Sequence, residues 1–151
     1  MDWKAEAKNK LRNYEAMTVA VSSLQEEIRE LESEYTAIQS ARFGDSILKI
    51  GNVRSREDAL LTNIAYREEL KKNLEKTLSW VNTVDNALAV LSAEEKDILV
   101  ELYISAEKGR LDCLCEKYGC EASSIYRRRD KALKRFTFAL YGIDADALSC
   151  V

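Results

Sequence analysis

From Trp3 to Ile38 the apolar side chains recur at alternating steps of four and three: Trp3, Ala7, Tyr14, Met17, Val21, Leu24, Ile28, Leu31, Tyr35 and Ile38, with Lys10 interrupting. That spacing predicts one helix over residues 3–42 with a heptad seam, Tyr14, Val21, Ile28 and Tyr35 at one core position and Met17, Leu24, Leu31 and Ile38 at the other. At about 1.5 Å per residue such a helix is about 60 Å long, so its stripe must bury itself against another helix rather than inside a small globule. Phe43-Gly44-Asp45 should end it, and Ile47, Leu48 and Ile50 in the connection either pack over the tip or touch a partner. Ser55, followed by Glu57 and Asp58, reads as the cap and acidic first turn of a second long helix. Its stripe is Leu60, Ile64, Arg67, Leu70, Leu74, Thr77, Val81, Val84, Leu88 and Leu91. Two matched helices with one break predict an antiparallel hairpin, a coiled coil folded back on itself, over residues 1–91. Leu61, Leu78 and Trp80 fall off the stripe, which predicts self-association as a homodimer or higher homo-oligomer. Tyr14, Val21, Leu24, Ile28, Leu31, Tyr35 and Ile38 are the candidate oligomerisation residues.

After residue 91 the helices shorten. Ser92-Ala-Glu-Glu is a capping box that opens a helix over 93–106, with Ile98, Leu99, Leu102 and Tyr103 inward and Glu107-Lys108-Gly109 as its stop. Leu111, Leu114, Cys115 and Tyr118 mark a short helix ended by Gly119, which can take the left-handed conformation. A last helix starts near Ala122, with Glu121 a poor cap, and keeps Ile125, Ala132, Leu133, Phe136 and Leu140 inside. A helix, a tight glycine turn and a basic helix form the outline of a helix-turn-helix, whose second member lies in the DNA major groove. The expected architecture is therefore all-α: the hairpin over 1–91, a three-helix domain over 92–142 with its first helix as a brace, and a short tail over 143–151.

Composition narrows the chemistry. With no proline and five glycines, the chain is suited to helix throughout. It has no histidine, which removes the usual general base and the commonest zinc ligand. No nucleophile–base pair, metal set or phosphate loop stands out, so neither an enzyme nor a cofactor is expected. The carboxylates Glu26, Glu27, Glu30, Glu32 and Glu34 fall outside the seam and read as a solvated flank. Cys113, Cys115, Cys120 and Cys150 lack zinc-site spacing; Cys115 and Cys120 fit core packing, as thiols in a reducing cytosol. Nothing near the N-terminus reads as a signal peptide and no run approaches the roughly 20 apolar residues of a membrane span, so a cytoplasmic protein with no membrane partner is expected. The net charge is -3, yet residues 122–141 carry Arg127, Arg128, Arg129, Lys131, Lys134 and Arg135 against one acid, Asp130. That local excess would turn the last helix toward a polyanion.

The stretch from Leu91 to Phe136 resembles region 4 of bacterial sigma factors. The likeness rests on Leu-x-x-x-Glu-x-x-Ile-Leu-x-x-x-Tyr in the brace, Leu-x-x-Leu-Cys-x-x-Tyr-Gly-Cys, and Ile-Tyr-Arg-x-x-x-Lys-Ala-Leu-x-x-Phe in the last helix. With the long helical pair in front, the chain is similar to small phage-encoded regulators of Gram-positive bacteria, the ArpU and RinA group. The resemblance implies promoter binding, with promoter-touching positions falling on Ala122, Ser123, Ser124, Tyr126 and Arg127. Where a sigma factor offers charged residues this chain has Ala122, Ser123 and Ser124, so it should not read the standard promoter element. Arg127 suits the O6/N7 pair of guanine, and serine hydroxyls suit a phosphate or a base edge. Tyr126 either meets a thymine methyl or a phosphate, or packs on the brace. Arg128 is expected to lay its stem over the core with its head outward. Lys131, Lys134 and Arg135 would meet backbone phosphates. Double-stranded DNA is the expected partner. Two alternatives stand beside it: a module that docks on RNA polymerase or another regulator, and a ring-forming small terminase subunit for DNA packaging.

Overall fold

The computed structural model describes residues 2–44 and 50–142. In it the chain is all-α, with α1 (Trp3–Gly44), α2 (Ile50–Ala89), α3 (Ala93–Leu99), a π-helical turn (Val100–Ile104), α4 (Arg110–Tyr118) and α5 (Ala122–Tyr141). None of its helices among the described residues is long and apolar enough to cross a membrane. The tail over 143–151, with Cys150, and the link containing Ile47 and Leu48 lie outside the described residues.

Local chemistry accounts for the helix ends. The Asp2 carboxylate accepts bonds from the amides of Lys4 and Ala5 at 3.1 and 3.0 Å, closing the open donors at the start of α1. The capping box of α3 is present in both directions: Glu95 N–H donates to Ser92 Oγ at 3.2 Å, and Ser92 N–H donates to the Glu95 carboxylate at 3.0 Å. The expected helix over 93–106 instead widens at Val100 into the π-helical turn, where the Ser105 amide reaches the Val100 carbonyl at 2.8 Å. Ser55 is not a cap, because α2 begins at Ile50 and Ser55 sits inside it.

The described residues divide into two compact units. Those up to Thr18 together with those from Trp80 onward form one, and Val19–Ser79 form the other. This division differs from a boundary at residue 91, and the reason lies in the core. In the first unit Ala7 and Leu11 of α1 and Val84, Ala87 and Leu88 of α2 are buried in one cluster with Leu91, Leu99, Tyr103, Ala132, Leu133 and Phe136. The start of α1 therefore meets neighbours over a wider arc than a two-helix seam supplies, which is why Leu11, off the heptad stripe, is fully buried. Trp3 stacks on Tyr141 with ring centroids 4.8 Å apart, and Trp80 packs against the same cluster beneath the Lys10 ammonium. Trp80 is thus partly covered by its own chain.

In the second unit α1 and α2 run antiparallel. Tyr66 donates to Glu27 at 2.6 Å, Asn63 Nδ2 donates to the Leu31 carbonyl at 2.9 Å, and Arg56 lies 3.5 Å from the Ala41 carbonyl, so partner numbers fall as those of α1 rise. Val21, Leu24, Leu31, Tyr35 and Ile38 are half-buried and Ile28 is buried. On α2 the seam departs from the expected stripe at one position: Asn63 is buried, whereas Ile64 is 38% exposed. Asn63 also accepts from Arg67 Nε at 2.8 Å, and the Arg67 guanidinium lies over the Tyr35 ring. The buried Asn63 amide is thus satisfied by the facing backbone and by Arg67 rather than left unpaired.

If the first turns of α1 belong to the same core as α5, Leu11→Ala should cost about 2–5 kcal/mol, as for other buried leucines. Amide exchange across α5 should accelerate with it. An α5 that kept its protection while the mean stability fell would contradict the shared core.

Candidate functional site

Gly119 makes the site possible. At φ 59° it takes the left-handed conformation that closes α4, and its amide and that of Cys120 both reach the Cys115 carbonyl, the latter at 3.1 Å. The chain leaves this turn extended at Glu121, whose side chain makes no cap bond, while its carbonyl accepts from Ser124 and Ile125 at 3.0 and 3.2 Å. α5 then starts at Ala122. Its first turn is held from beneath by Ile125, which is buried with Ile98 and Leu114, while Leu111, Cys115, Tyr118 and Cys120 pack around that cluster. Further along, Ala132, Leu133 and Phe136 anchor α5 in the larger cluster.

With that face buried, helical geometry decides what the rest presents. At about 100° per residue, Ser123, Arg127, Lys131 and Lys134 fall on one outward stripe, and all four are exposed. Among the described residues Arg127 and Lys131 make no ion pair with a carboxylate, and Lys134 places its ammonium over Phe138. Ala122 and Ser124 are half-buried at the flanks of the leading turn. Tyr126 is 42% exposed and belongs to neither core cluster; the Arg129 guanidinium lies 4.8 Å from its ring centre.

The other cations are occupied within the chain. Arg128 pairs with Glu94 on α3 while its side chain stays 40% exposed. Arg135 pairs with Glu95 at 2.6 Å and also donates to the Val90 carbonyl at 3.2 Å. Arg129 pairs with its neighbour Asp130 at 2.9 Å. The charge excess counted along α5 is therefore offset by two acids at the start of α3, which sequence distance hid. The capping-box pattern locates those acids in a first turn, but only the packing of α3 on α5 brings them to the arginines.

A second polar cluster fixes the brace to α4. Asp97 accepts from Lys117 at 2.7 Å and from Tyr118 at 2.6 Å. The Lys117 bond, with Tyr118 second, holds the Asp97 carboxyl below its ordinary range. Burial alone would push Glu95 up, but bonds from Ser92 and Arg135 outweigh it and keep that carboxyl low as well. Cys115 and Cys120 are half-buried and Cys113 is exposed. No three His, Cys, Asp or Glu side chains converge as a metal site among the described residues.

Comparison of the chain with family models, with curated proteins and with solved structures gave no match.

Both Asp97 and Glu95 have folded-state pKa values below their unfolded ones, so their stabilisation is complete above the ordinary carboxylate value of about 4 and is lost as pH falls through the folded value. Asp97→Asn should therefore destabilise the protein at neutral pH, and its gap to wild type in urea melts should narrow on acidification below about pH 4. A gap that stayed constant would mean that the carboxylate's charge is not what Asp97 contributes.

Proposed function

We propose that the chain is a sequence-specific regulator that binds double-stranded DNA, laying the leading half of α5 in the major groove. The observation that carries this reading is the outward stripe of Ser123, Arg127 and Lys131 on a helix whose opposite face is anchored in two clusters. A helix delivered by a glycine turn and backed by a brace has the form required to reach base edges. Arg127 has five donors and, among the described residues, no competing carboxylate, so it is the base-reading residue, with guanine as its partner. Ser123 serves a base edge or phosphate, and Lys131 a phosphate further along the groove. Ala122, Ser124 and Tyr126 line the margin of the contact. Lys134 supports it from the same stripe, whereas Arg128 serves α3 first.

The likeness of the region to sigma factors adds a promoter as the target, a phage or prophage setting and the cytoplasm as the compartment. A homodimer built through the helical pair belongs to the same reading, and solution mass distinguishes it from the large ring of a small terminase. Docking on RNA polymerase is the second reading. It is favoured by the pairing of Arg128, Arg129 and Arg135 with carboxylates, which weakens the pull on a polyanion, and by Leu61, left 64% exposed on α2.

Duplex binding should weaken steeply with salt. Arg127→Ala should cost about 1–3 kcal/mol of discrimination between sites, whereas Lys131→Ala should weaken all sites alike and lower the salt slope by about one. Glu94→Gln should release Arg128, raising affinity for all duplexes and steepening the salt dependence. Equal behaviour of the Arg127 and Lys131 variants would overturn the assignment of base reading to Arg127. Recovery of polymerase with no measurable duplex affinity would favour the second reading.

A further inference from the structure

We propose that Cys115 and Cys120 are a dithiol that closes into an intrachain disulfide by exchange with a small-molecule disulfide such as oxidised glutathione, stapling the turn between α4 and α5. This inference is independent of the DNA reading.

Three features of the turn support it. The Cys120 amide donates to the Cys115 carbonyl at 3.1 Å across a left-handed Gly119, the six-to-one bond of a Schellman turn. Contact between the side chains of these two positions frequently accompanies such turns, and a disulfide needs a Cβ separation of about 3.5–4.5 Å. Both cysteines pack against the one small cluster of Ile98, Leu114 and Ile125, so both side chains lie on the same side of the turn. Cys113, two residues before Cys115 on α4, is exposed on a different face. Burial, with the neighbouring Cys120 as a second cause, pushes the Cys115 thiol above its ordinary value.

The chemistry balances without any further reactant. Cys120 at the turn, as thiolate, attacks one sulfur of the small disulfide, forming a mixed disulfide and releasing one small thiolate. Cys115 then gives up its proton to solvent and attacks Cys120 Sγ, forming the Cys115–Cys120 bond and releasing the second small thiolate. The two cysteines are oxidised by two electrons, and the small disulfide is reduced to two thiols. Because Cys115 holds its proton tightly, the second step should quicken as pH rises.

The test uses the full chain in a Cys113→Ser, Cys150→Ser background, folded and incubated with oxidised glutathione, then alkylated and digested with trypsin. The expected result is the loss of both alkylation sites and a linked pair of peptides, 111–117 joined to 118–127. Exchange of the amides around Gly119 should slow, and dithiothreitol should restore it. Wild type should give the same linkage, while Cys120→Ser should give none. Persistence of two alkylatable thiols in the folded chain, or linkage formed only in urea, would overturn the proposal. So would a wild-type product in which Cys113 alone is oxidised.

Discussion

The structure depends on the burial of one face of α5. Ile125 is held in the small cluster with Ile98 and Leu114, and Ala132, Leu133 and Phe136 are held in the larger one with residues of α1, α2 and α3. Each large apolar side chain so placed contributes about 1.5–3 kcal/mol, and anchoring one rigid helix in two places leaves it no freedom to roll. Rotation about the axis of α5 is thereby fixed. The identity of the outward stripe follows from that constraint rather than from the number of basic residues in the segment.

Electrostatics then divides the cations of α5 by position. Those on the flank toward α3 find Glu94 and Glu95, so they tie the brace to the helix and are largely spent on the fold. Such half-exposed pairs are worth about 0–1 kcal/mol each, so their consequence lies in removing charge from the surface more than in stability. Among the described residues the outward stripe is narrow: Ser123, Arg127, Lys131 and Lys134. A narrow stripe suits a contact that depends on where each donor points, since little long-range attraction is left to hold a mispositioned partner.

Much of the fold was legible in the chain because it rests on local periodicity. The α1 stripe from Met17 to Ile38, the Ser92 capping box, the stop at Gly119 and the inner face of α5 all follow from spacing of three and four or from a single φ requirement. The departures share a cause, which is contact between elements distant in sequence. Leu11 is buried because a further helical layer covers it. Asn63 displaces Ile64 in the seam because its amide has a backbone carbonyl to meet across the pair. Arg128 leans toward α3 because Glu94 is packed beside it. Ser55 resembles a cap, yet α2 had already begun, since cap residues are tolerated inside a helix when packing holds it together. Within the site, Ser123, Tyr126 and Arg127 were legible as outward positions, whereas the neutralising acids were not, because a charge count along one helix omits what lies across from it.

The most direct test of the account is an NMR titration of the full chain with duplexes selected for binding from a random pool. Shift changes should concentrate on Ser123, Arg127 and Lys131 and on the backbone at the start of α5, with small changes at Arg135 and in Val19–Ser79. Saturable duplex binding that leaves the signals of Ser123 and Arg127 unmoved would contradict it.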